Sequence, residues 1–129
     1  MSKTVIATDK APAAIGPYSQ GVRAGNLLFT AGQVGVDPVT QQVVEGGITP
    51  QTARTFENLK AILEAGESSL AQVLKVTVFL KNMNDFAAMN AVYSAYFGQV
   101  SAPLPVRTTV EAAQLPKDVL VEIEMIAEA

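Results

Sequence analysis

The sequence contains no cysteine and no histidine. The first absence removes disulfides, thiolate nucleophiles and cysteine-ligated zinc. The second removes imidazole as a base, a metal ligand or a Ser-His-Asp triad member. Proton transfer therefore falls to carboxylates, Tyr, Lys, backbone groups or water. Charge is also scarce, at 16% Asp, Glu, Lys and Arg, where soluble domains average roughly 25%. The nine basic residues form no run, the net charge is −3 and the pI is about 4.8. Polynucleotides are held by clustered cations that displace counterions, so nucleic acid is a poor candidate partner. No apolar run approaches the length of a membrane span. The opening MSKTVIATDK lacks the apolar core of a signal peptide. A cytoplasmic protein with no membrane partner is expected.

What is present is apolar side chain, 49% of 129 residues. A chain of this size supports one core, and a single domain over 1–129 is expected. With so few charges to cover its surface, part of that apolar area is expected to be covered by other copies of the chain.

Residues 3–7 read as a short strand, followed by a loop, APAAIGP, at 11–17. Strands are expected at 20–24 and 27–31 around a Gly25-Asn26 turn, with a surface loop from Gly35 to Gly47. A first helix is predicted near Thr49, with Thr49 as N-cap, Pro50 at the first helical position and Gly66 as the stop. Its apolar stripe is Ala53, Phe56, Leu59, Ile62 and Leu63. Residues 73–81 suit a central strand. Asn84 or Asp85 should cap a second helix with the stripe Phe86, Met89, Val92, Tyr93, Tyr96 and Phe97, ending at Gly98. Two strands follow, near 105–111 and 118–127. The order is β-β-β-α-β-α-β-β. Right-handed crossovers would put both helices on one face of a single sheet, an α+β two-layer sandwich with the other face bare.

Alternation in the last two strands sets Val106, Thr108 and Val110 against Arg107, Thr109 and Glu111. It likewise sets Val119, Val121, Ile123 and Met125 against Leu120, Glu122, Glu124 and Ile126. Taking the two strands as antiparallel neighbours, with Arg107 opposite Glu122, puts the apolar sets on one side. Arg107, Thr109, Glu122 and Glu124 would then share the uncovered face. Two readings stay open there. Arg107 grips a carboxylate through paired N–H bonds, or it makes a structural ion pair with Glu122.

The segments APAAIGPYSQGV (11–22), FTAGQ (29–33), VFLKNMNDFAAMN (78–90) and PVRTTVEAAQLPKDVLVEIEMIA (105–127) closely resemble the Rid family, the YjgF-type reactive intermediate deaminases. The likeness is collinear over essentially the whole chain. It implies a chorismate-mutase-like fold and a homotrimer that packs through the bare sheet faces, with clefts between subunits. It also implies hydrolysis of 2-imino acids and their enamine tautomers, such as 2-aminoacrylate, to 2-oxo acids and ammonia. The imines come from pyridoxal-phosphate dehydratases, a functional link without a stable complex. No metal or organic cofactor is implied.

Carried over by position, Arg107 is the carboxylate anchor and Gly32 supplies an N–H beside it. Tyr18 lines the pocket, Asn90 lies at its edge, Glu122 holds the attacking water, and backbone groups near Thr109 belong to the same site. Many relatives have Cys at the position of Thr109 and Ser at that of Ala31, so a thiol and one hydroxyl contact are missing. Read from the residues alone, Tyr18 can be interface packing, Gly32 a tight strand exit and Asn90 helix surface. Binding of 2-oxo acids without turnover, RNA cleavage and chaperone-like holding are the competing functions.

Overall fold

The computed structural model describes residues 2–129. Seven strands form one mixed sheet: β1 (Lys3–Ile6), β2 (Gly21–Ala24), β3 (Leu27–Thr30), β4 (Gln33–Val34), β5 (Val73–Leu80), β6 (Val106–Glu111) and β7 (Val121–Glu128). Two helices, α1 (Ile48–Ala65) and α2 (Phe86–Phe97), complete it. The spatial order is β1-β2-β3-β7-β5-β6, with β4 also pairing to β7. The β5–β6 pair is parallel and bridged by α2; the other pairs are antiparallel. Strands β4 and β5 flank β7 in the same direction, so α1 makes the second crossover. The α+β two-layer sandwich matches the sequence expectation.

The layers follow from the two periodicities. Phe56, Leu59, Ile62 and Leu63 of α1 are fully buried, as are Val76, Val78 and Leu80 of β5 and Val121 and Ile123 of β7. Met89, Tyr93 and Phe97 supply the α2 stripe. The helices lock together through aromatic rings. Phe56 stacks on Tyr96 at 4.6 Å and meets Tyr93 edge-on at 5.7 Å, and Tyr93 lies 4.8 Å from Phe97. Such pairs add to the area they bury.

The bare face is legible as rows. Val5 pairs with Val22, Val22 with Phe29, Phe29 with Ile126, Ile126 with Lys75 and Lys75 with Val106. Val5 and Val106 are exposed at 62% and 65%; the band is apolar apart from Lys75, and no helix among the described residues covers it.

The starts of the helices differ in detail from the sequence reading. Gly47, at φ 88°, is the N-cap of α1, so Thr49 is not; Pro50 falls in the first turn, where its missing N–H costs nothing. The consecutive positive-φ glycines Gly46 and Gly47 let the loop turn into the helix two residues early. At the far end Gly66 closes α1, because a Cβ there would run into Leu28 and Ile6. The left-handed residue is Glu67 at φ 63°. Asp85 caps α2 by position, without a side-chain bond. Asn82 instead accepts from the Asn84 N–H.

The pairing of the last two strands is corrected outright. β6 and β7 are not neighbours: β5 runs between them, and the 112–120 connection passes over its end. There Ala112 N–H donates to the Leu80 carbonyl and Lys81 N–H to the Leu120 carbonyl. Arg107 is level with Val76, whose side chain is core, while Glu122 is level with Phe79 on the bare side. Arg107 and Thr109 therefore share the helix side, and Glu122 and Glu124 the bare side. The alternation itself was right. The assumption that apolar residues mark the core failed on edge strand β6, where Val106 and Val110 face outward.

Candidate functional site

Arg107 emerges beneath α2. Its Nη1 donates to Asn90 Oδ1 at 2.6 Å. The guanidinium carbon lies 4.6 Å from the Tyr93 ring centroid and 5.4 Å from that of Phe86. The start of this helix is fastened to the end of β6, since Met83 N–H donates to Glu111 Oε1 at 2.7 Å. Strand and helix thus hold the arginine jointly. Among the described residues no carboxylate pairs with it. A cleft of about 560 Å³ opens here, lined by Asn90, Tyr93, Phe97, Leu104 and Arg107. Thr109 lies two residues on, level with Val78, and its hydroxyl is buried without a hydrogen-bond partner. The cleft offers a fixed, unneutralised cation with apolar walls. Burial raises the Tyr93 pKa, and the nearby Arg107 charge partly opposes this.

The second group of residues gathers on the bare side. Phe29 is level with Ile126 and Gln33 with Ile123, so four residues advance on one strand against three on β7. The extra residue makes a bulge at Ala31 and Gly32. It is stitched by Thr30 Oγ1, which accepts the Met125 N–H at 3.0 Å, and by the Ala31 N–H, which donates to the Gln20 carbonyl at 2.8 Å. The Glu122 carboxylate packs over Gly32. A Cβ at that position would overlap its oxygen and stand 2.9 Å from Cδ. Burial raises the Glu122 pKa above the ordinary carboxylate range, and the like charge of Glu124 adds to this.

Tyr18, 55% exposed, closes one side of the same cleft of about 420 Å³, with Ile15, Gly32, Lys117 and Glu122. Lys117 and Asp118 both take left-handed backbone, at φ 56° and 55°, in a turn held by a 2.6 Å Lys81–Asp118 ion pair.

The structure thus sorts the expected residues into two clefts. Arg107 and Asn90 meet in one, with Thr109 buried two residues along the same strand and outside its lining; Tyr18, Gly32 and Glu122 meet in the other, and Ala31 lies at the bulge beside them. Sequence reading missed the residue that shapes the second cleft. Gln20 is buried and clamps the loop before it. Its Nε2 donates to the carbonyls of Thr8, Ala11 and Pro12, and its Oε1 accepts the Thr8 N–H at 2.7 Å. The only signal was its position directly after Tyr18-Ser19. Gln51 and Asn58 of α1 were also missed. Gln51 accepts the Leu120 N–H, and Asn58 donates to the Val34 and Val36 carbonyls, so both buried polar groups fix the strands that carry the cleft.

Known proteins match throughout. The sequence profile of the family described as Endoribonuclease L-PSP covers residues 8–129. A RutC family protein of Pyrococcus horikoshii is 58% identical over 97% of both chains. The 2-iminobutanoate/2-iminopropanoate deaminase of Salmonella typhimurium is 52% identical over 98% of both. Escherichia coli TdcF, solved with bound serine, superposes with a TM-score of 0.93 at 44% identity, covering 98% of each chain. The chain belongs to the Endoribonuclease L-PSP family, that of the Rid proteins its motifs resemble.

Proposed function

We propose that this protein is a hydrolytic deaminase of 2-imino acids and their enamine tautomers, working at a site completed between copies of the chain. The observation that carries the reading is Arg107, a partly buried arginine with a bound partner in Asn90 but no neutralising carboxylate among the described residues. A guanidinium so held is a receptor for a carboxylate. The name of the Salmonella relative and the serine bound to TdcF both support a small carboxylated ligand.

The two clefts supply complementary chemistry on opposite faces, so one chain cannot bring them together. A ring of copies, each presenting its Arg107 side to the bare face of the next, can. The low charge and the uncovered apolar band favour such an assembly, and a homotrimer is the form proposed.

In the joined site Arg107 and the Gly32 N–H hold the carboxylate. This converts water attack into a near-unimolecular step. The iminium carbon is already electrophilic and needs no covalent nucleophile. Water adds to it and Glu122 accepts a proton from that water; the carbinolamine nitrogen takes up a proton, the C–N bond breaks as the hydroxyl gives up its own, and ammonia and the 2-oxo acid leave, with Glu122 returning its proton so that the carboxylate is restored. Tyr18 closes the pocket over the water. Thr109 and Ala31 form the wall around the anchored group. A pyridoxal-phosphate dehydratase would supply the substrate without forming a stable complex. The scattered basic residues and absent histidine favour this small anion over RNA.

The test generates the imine in situ with an amino-acid oxidase or dehydratase and follows its disappearance. Wild type should accelerate the loss and Arg107→Ala should remove the acceleration. A wild type no faster than buffer refutes the deaminase reading, and a fully active Arg107→Ala refutes the anchor.

A further inference from the structure

Phe86, Asn90 and Tyr93 stand at i, i+4 and i+7 on α2, one stripe of one helix. By sequence, the two aromatics of this stripe read as core. In the structure all three converge on one guanidinium. We infer that Tyr93, assisted by Phe86, is a positioning residue for Arg107: the rings fix the guanidinium so that its unbonded N–H edge stays open to the cleft. The inference rests on the anchoring role proposed above.

The physical case turns on what an anchor must avoid. A guanidinium has five N–H donors, and Asn90 takes one of them. A carboxylate partner would also hold the side chain, but it would occupy the donors and neutralise the charge that the ligand needs. An aromatic face attracts the cation through its quadrupole and leaves the in-plane N–H bonds free. An arginine held before the ligand arrives loses less freedom on binding.

Tyr93 is suited to be the fixed wall. It is 7% exposed, braced edge-on by Phe56 at 5.7 Å and flanked by Phe97 at 4.8 Å. Its ring is therefore part of the core on one side and of the cleft on the other. Phe86 is less buried and sits about two turns away along the same helix, at its N-terminus.

The test observes Arg107 directly, without ligand, by 1H–15N NMR of its guanidinium, assigned with Arg107→Lys. Tyr93→Phe keeps a ring, whereas Tyr93→Leu and Phe86→Leu remove one. Wild type and Tyr93→Phe should show resolved Nη signals, the mark of slowed rotation. Both Leu variants should show averaged ones. In parallel, the Kd for 2-oxobutanoate should rise about tenfold in the Leu variants and stay within about twofold in Tyr93→Phe. Phe86→Leu keeps the test decisive if loss of the buried Tyr93 ring unfolds the chain. Arg107 signals unchanged in the folded Leu variants overturn the inference, whatever the activity. Signals that average in those variants, with no 2-oxobutanoate binding by wild type, uphold the positioning and sink the carboxylate reading instead.

Discussion

Arg107 and Glu122 stand on opposite faces of one sheet, with β5 between their strands. Arg107 lies under α2, and Glu122 lies over the Gly32 bulge on the bare side. Within a chain they can neither form an ion pair nor contact one small ligand together. Any chemistry that uses both joins two copies.

Glu122 should make the reaction pH-dependent. Burial, reinforced by Glu124, holds its pKa above the usual carboxylate range. As a base it acts only when deprotonated, so kcat/KM should rise with pH through that elevated value. Glu124→Gln removes the like charge and should move the rise to lower pH. Glu122→Gln should abolish it. The same proton affects stability with the opposite sign. The folded chain binds it more tightly than the unfolded chain, so this contribution is full at low pH and is lost as pH rises through the folded value. Thermal melts against pH should show that loss in wild type and not in Glu122→Gln.

Gly32→Ala should separate folding from activity. The added Cβ meets the flexible end of the Glu122 side chain, which can swing away. The melting temperature should stay close to that of wild type. Displacement of the carboxylate should lower kcat at least tenfold, a loss of about 1.4 kcal/mol in transition-state stabilisation. A wild-type kcat would show that the carboxylate's position over Gly32 is immaterial.

Gln20→Leu strands the Thr8, Ala11 and Pro12 carbonyls and the Thr8 N–H. The expected cost is about 2 kcal/mol or more, readable by urea denaturation. Because this loop carries Tyr18, activity should fall even where the variant remains folded.

Much of the fold was legible because it rests on local pattern. The stripe of Phe56, Leu59, Ile62 and Leu63 and the alternation of Val121, Ile123 and Met125 fixed which sides face the core. What local pattern lacks is strand order. Nothing within 105–127 reveals that β5, more than twenty residues upstream, intervenes between the last two strands. Edge strand β6 then misled, since Val106 and Val110 are apolar and exposed. The family motifs named Arg107, Glu122, Tyr18 and Gly32 without locating them relative to one another. Gln20, Gln51 and Asn58 escaped notice because a buried amide is recognised by its partners, and those partners are distant in sequence.

The most direct test of a shared site is complementation between two inactive variants. Arg107→Ala and Glu122→Ala are each prepared, unfolded together in equal amounts and refolded as mixed assemblies. Random assembly gives about a quarter of the interfaces an intact Arg107 from one variant facing an intact Glu122 from the other. Imine hydrolysis should therefore return to about a quarter of the wild-type rate in the mixture. It should be absent from either variant refolded alone. A mixture as inactive as its components, in assemblies shown to contain both chains, would contradict a site built between copies.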